Sequence, residues 1–168
     1  MDGTGSHTFR EGSATALVTQ ALRERYPDVD VRRVRHGLAT VAGVRVDYTH
    51  HGPSAGIREW TEGNQLRYYA KSAVIGDVLR GKRPPRLIFR GHFHEWMRET
   101  VRVAKRYTAD IILLPSLCGM GEYGRQATGS KPRITNGMVA VEVEGGRVLT
   151  VHPLVHELDL RTEECFDD

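Results

Sequence analysis

Apolar residues first recur at helical spacing over Ala14, Leu17, Val18, Ala21 and Leu22, behind Ser13, a residue able to cap a helix. The pattern predicts a helix running to about Tyr26 and stopped by Pro27, because proline disfavours helix in the residue before it. Val29, Val31 and Val34 then alternate with charged residues, as in a strand with one wet face. His36-Gly37-Leu38 is expected to turn into a short strand from Ala39 to about Val41, Ala42-Gly43 to make a tight hairpin, and Val44 to Thr49 to be the next strand. From Gly56 to Gly63 no period is visible, and a mobile, exposed loop is expected. Asn64 is expected to cap a long helix with Leu66, Tyr69, Ala70, Ala73, Val74 and Leu79 on one face. It should end at Gly81, since Pro84-Pro85 forbids its continuation.

The second half is richer in strands. Arg86-Leu87-Ile88-Phe89 has the apolar run of a buried strand, Thr100 to Tyr107 alternates, and Ala109 to Leu114 is an apolar strand closed by Pro115. Residues 116–132 form a loop rich in glycine and polar residues. Met138 to Val143, a Glu144-Gly145-Gly146 turn and Val148 to Val151 form a hairpin. The architecture predicted is strand-rich α/β with two good helices, one domain over 1–160 and a frayed acidic tail over 161–168.

Composition alters this picture little. The 168 residues suit one domain with a real core, and 39% apolar with 27% charged residues is ordinary for a soluble globular protein. Lys and Arg exceed Asp and Glu by 24 to 21, and the basic residues are scattered along the chain. That permits contact with nucleic acid or phosphate without arguing for it. No apolar run approaches the roughly 20 residues of a membrane helix, and the first residues lack a signal pattern. Cys118 and Cys165 are far apart, so a reduced cytoplasmic protein is expected and a structural zinc knuckle is not.

The histidines change more. There are eight, and four of them lie in two short motifs. His92 and His94 sit on a turn at the carboxyl end of a predicted strand, where open α/β sheets build ligand sites. His50-His51-Gly52-Pro53 repeats that grammar after an earlier strand. Imidazole is a common ligand for Zn, Fe, Mn and Ni. A dinuclear site also wants a bridging carboxylate. The neighbours available are Asp2, Asp47 and Glu95, and Asp47 lies an odd number of strand residues from His50, on the opposite face. The constellation is rich in nitrogen ligands and poor in oxygen ligands. His36, His152 and His156 suit turn or surface roles, Trp60 and Trp96 suit packing, and Arg58, Arg67 and Lys71 suit a solvated helix face.

Gly91-His92-Phe93-His94 after an apolar strand, with Thr49-His50-His51-Gly52-Pro53 after an earlier one, resembles the calcineurin-like metallophosphoesterase family. The resemblance implies a two-sheet β-sandwich flanked by helices, of which this chain holds the later part, with the N-terminal strands missing. It implies two divalent metal ions (Mn, Fe, Zn or Ni) that activate water for hydrolysis of a phosphate mono- or diester. His50 and His92 would ligate one ion and His94 the other, while His51 would be an outer or substrate-facing residue. Gly3-Thr4-Gly5-Ser6-His7 resembles a variant of the family's third motif, with Thr4 or His7 taking part and His7 as the catalytic histidine. Tyr123 or Arg125 is expected to touch the substrate's phosphate or base. The family's Asp-x-His and Gly-Asp motifs are absent, and Gly76-Asp77 falls inside a predicted helix. Those motifs carry the bridging carboxylate that the residues themselves lack. Three expectations stay open: the chain is a part, a second polypeptide supplies the ligands, or it is a remnant without activity. The competing classes are a non-catalytic module binding at most one ion and a nucleic-acid-processing accessory.

Overall fold

The computed structural model describes residues 8–9, 12–56, 58–117 and 133–161. Thr4, His7, Tyr123 and Arg125 lie outside the described residues. In chain order come β1 (Thr8–Phe9) and β2 (Gly12–Ser13), a short antiparallel pair, then α1 (Ala14–Arg25), β3 (His36–Val41), β4 (Val44–Thr49) and α2 (Asn64–Leu79). They are followed by β5 (Leu87–Arg90), β6 (Met97–Val103), β7 (Tyr107–Leu113), β8 (Arg133–Glu144) and β9 (Arg147–Asp159). One sheet has the order β3-β4-β5-β7-β6, with β4, β5 and β7 parallel and the two outer strands antiparallel. The β8–β9 hairpin is a second, two-stranded sheet. The fold is therefore mixed α/β, with a five-stranded sheet and a hairpin sheet beside the short β1–β2 pair.

Central parallel strands must be apolar on both faces, since both are covered. β7 shows this: Ala109, Ile111, Ile112 and Leu113 are all buried, with Asp110 the one charged residue among them. Ile111 and Leu113 join Ile88, Val101 and Ala109 against Leu66, Ala70 and Val74 of α2. Ile112 joins Val44, Val46 and Leu87 on the other face, against Val139, Val141, Val143, Val148 and Val151 of the hairpin. Each fully buried Leu or Ile contributes about 1.5–3 kcal/mol, so the helix and the hairpin clamp the sheet from its two sides. The sheet's ends are left for chemistry.

Several local expectations give way to tertiary context. Val29 to Val34 forms no strand: no neighbouring ladder reaches it, Val29 is exposed, and the Val31 carbonyl accepts from Arg23 Nε instead. His36-Gly37-Leu38 is the start of β3, not a turn. Gly37 lies under the Tyr48 ring, where a Cβ would stand 2.1 Å from Cζ, so the glycine serves close packing. Asn64 is the first helical residue, and Gly63 (φ 79°) precedes it as the cap without a side-chain hydrogen bond. Leu79, expected on the buried face, is exposed because the helical turn of about 100° per residue carries it to the side opposite Leu66, Ala70 and Val74, while Val78 before it still packs on the core. The alternation over Thr100 to Tyr107 spans two strands, joined by a tight turn with Ala104 and Lys105 at φ 50° and 56°. Those residue types give no turn signal, which is why the pattern concealed it. The 56–63 segment carries a 3-10 turn, Glu59–Thr61, and is tied down by Gly63 N–H to the Ala55 carbonyl (2.8 Å). Among the described residues, no helix is long and apolar enough to cross a membrane.

Candidate metal site

The parallel ladder between β4 and β5 pairs Thr49 with Arg90. The residues that follow each strand are therefore neighbours, and the Gly91 N–H donates to the His50 carbonyl at 3.1 Å. This register brings the two histidine motifs together. His50, His51 and His92 each offer one ring nitrogen, all within 4.8 Å of one another. Ring centroids lie 5.0 Å apart for His50–His51, 5.3 Å for His50–His92 and 4.4 Å for His51–His92. His50 and His92 are half-buried and His51 is exposed, so the group opens to solvent on the His51 side. At Gly91 a Cβ would come within 3.4 Å of the His50 carbonyl oxygen. That is an ordinary contact, so the approach of the two loops rests on the Gly91 N–H bond and the strand register and not on the missing side chain.

The turn is strained. His92 and His94 have φ of 81° and 54°, in the left-handed region. Each such residue costs about 1–2 kcal/mol, and strain of this kind collects at functional sites. The surrounding ladder holds it: Leu114 N–H donates to the Arg90 carbonyl (2.7 Å), Thr135 N–H to the His94 carbonyl (2.8 Å) and Trp96 N–H to Thr135 Oγ1 (2.8 Å). Here β8 anchors the far side of the turn.

Of the residues singled out in the sequence, His50 and His92 are brought together. His51, read from the resemblance as an outer residue, is the third member of the group, and His94 lies outside it. What admits His51 is the strand end: His50 and His51 both follow the last β4 pairing, free of the pleat's alternation.

The group contains no carboxylate among the described residues. Asp47 is engaged elsewhere. Its Oδ1 lies 2.6 Å from Arg90 Nη1 and 2.9 Å from His36 Nε2. Arg90 is fully buried: Nη1 also donates to the Phe89 carbonyl (2.7 Å), and Nη2 donates to the Tyr69 hydroxyl (2.9 Å). Gly52 packs on the stem of Arg90, where a Cβ would fall 2.6 Å from Cγ and Cδ. This buried arginine, unremarked in the sequence, ties the loop after His51 to β4, β5 and α2.

Three imidazoles with an open side are a donor set suited to zinc or another nitrogen-preferring transition ion. Metal–nitrogen bonds of about 2.0–2.1 Å in tetrahedral geometry set ligand nitrogens roughly 3.4 Å apart. The three nitrogens lie within 4.8 Å of one another, so closing on an ion would take a side-chain adjustment toward that spacing.

No protein-family model matches the sequence, and no curated protein matches it. Among solved structures the chain is similar to wild-type Vps29 of Entamoeba histolytica complexed with zinc, at 12% identity and a TM-score of 0.38, covering 79% of this chain and 67% of that one. It is similar also to a single mutant of Vps29 from the same organism, at 12% identity and a TM-score of 0.35, covering 76% of this chain and 61% of the other.

Proposed function

We propose that this protein binds a transition-metal ion through His50, His51 and His92 and hydrolyses phosphate esters there. The observation that carries the reading is the convergence of three imidazoles from two loops, at the carboxyl ends of adjacent parallel strands. The chemistry such an ion supplies is Lewis acidity toward a phosphoryl oxygen and a more acidic water. The chain's own part is to hold His50 and His92 rigidly on the β4–β5 ladder and to leave the His51 side open for a phosphoester. A two-ion form uses His94 as a ligand of the second ion. Its carboxylates come from residues beyond those described or from a second polypeptide.

A second reading is a module that binds one ion without turnover. The commitment of Asp47 to Arg90 and His36 favours it, because the nearest strand carboxylate is spent on structure.

Titration calorimetry with Zn²⁺ and Mn²⁺, run beside turnover of a chromogenic phosphodiester, separates the readings. One equivalent bound with turnover, both lost in His92→Ala, supports hydrolysis. Binding without turnover selects the non-catalytic module. No binding of either ion overturns both.

A further inference from the structure

At the opposite end of the sheet the chain builds a second recess. Arg83-Pro84-Pro85-Arg86 leads into β5, Arg106-Tyr107-Thr108 opens β7, and Gly146 of the β8–β9 turn lies alongside; together they line a cleft of about 310 Å³. The histidines lie at the far ends of β4 and β5, roughly 17 Å away along a six-residue strand.

Three arginines line this cleft and no carboxylate does, among the described residues. Two guanidiniums are held at one edge and the third by its face. Arg83 Nη2 donates to the Gly43 carbonyl at 2.8 Å. Arg86 Nη1 lies 2.9 Å from Oδ2 of the buried Asp110. Arg106 stacks on Tyr107 at 5.3 Å from the ring centroid. A guanidinium has five N–H donors, so an edge contact or a stacked face leaves others for a ligand. Asp110 is shared with Arg98 (3.1 Å) and with the Thr100 hydroxyl (2.6 Å), so one carboxylate holds two cations, Arg86 and Arg98. The floor is rigid: Gly146 N–H donates to the Ala42 carbonyl at 2.7 Å, locking two turns together. Pro84-Pro85 stiffens the approach.

Arginine forks match phosphate oxygens bidentately, and anchored side chains lose less entropy on binding. The volume is at the small-molecule end of known ligand sites, which fits a compact oxyanion and not a duplex. We propose that this cleft is a second ligand site, separate from the histidine group, that takes the phosphate groups of a small phosphorylated compound.

The test titrates pyrophosphate and, separately, ADP into the metal-free chain at low salt, following backbone amide resonances. Saturable shifts at Arg86, Arg106 and Gly146 are expected, with His92→Ala binding as the wild type does. Arg106 is exposed and holds no other element in place, so Arg106→Ala should keep its melting temperature and bind at least about tenfold more weakly, with Arg106→Lys between. Equal affinity for the two probes means that the phosphates suffice, and tighter ADP assigns the Tyr107 and proline wall to the rest of the compound. The proposal falls if shifts appear only around the histidines, if Arg106→Ala binds within twofold of wild type, or if ADP binds and pyrophosphate does not. Binding of a DNA duplex with neither small probe overturns it equally.

Discussion

Two arginine–aspartate systems sit beneath the two ends of the sheet, and they are built in opposite senses. At the histidine end the buried member is the cation: the Arg90 side chain is 1% exposed and that of Asp47 16%. At the other end the buried member is the anion: the Asp110 side chain is fully buried, while those of Arg86 and Arg98 are 31% and 37% exposed. The buried partner decides which charge faces water. At the histidine end an internal arginine draws the strand carboxylate inward, leaving imidazoles at the surface. At the other end an internal carboxylate holds arginines by one edge, leaving their remaining donors outward.

That asymmetry makes Asp47→Ala the most damaging change. It strands a fully buried guanidinium, and losing one partner of a buried pair costs about 3–5 kcal/mol. Urea unfolding measures this, and a loss below about 1 kcal/mol would mean that Arg90 is not held by Asp47. Next in size is the metal test of the histidine end. His51→Ala should weaken zinc binding about a hundredfold, or ~2.7 kcal/mol, while His94→Ala stays within about threefold. The reverse order would replace His51 by His94 in the ligand set. Smaller again is Asp110→Asn, at about 2 kcal/mol, because its arginines are part-exposed and rehydrate. If Asp110→Asn destabilises more than Asp47→Ala, the contrast between the two ends is wrong.

Much of the frame is legible in the chain. The α2 face of Leu66, Ala70 and Val74, the apolar run into β5 and the β8–β9 hairpin all follow from periodicity, because burial on one face imposes a repeat that the sequence must carry. The β6–β7 turn was not legible, since Ala104 and Lys105 occupy the left-handed region without glycine or asparagine to announce it. Nor was the absence of a strand over Val29 to Val34. Alternation there specifies a face, but a strand needs a partner's hydrogen bonds, and none is supplied.

The candidate site divides along the same line. The sequence by itself determined that histidines follow two strands and that carboxylates are scarce beside them. Only the tertiary structure decided which histidines meet, because the parallel register of Thr49 against Arg90 is a long-range pairing that no local pattern encodes. The fate of Asp47 was decided the same way, as its partner Arg90 is 43 residues on. Arginines that look scattered along the chain, Arg83, Arg86 and Arg106, share one cleft for that reason too. Strand order joins residues by their place along the sheet, and distance along the chain does not enter.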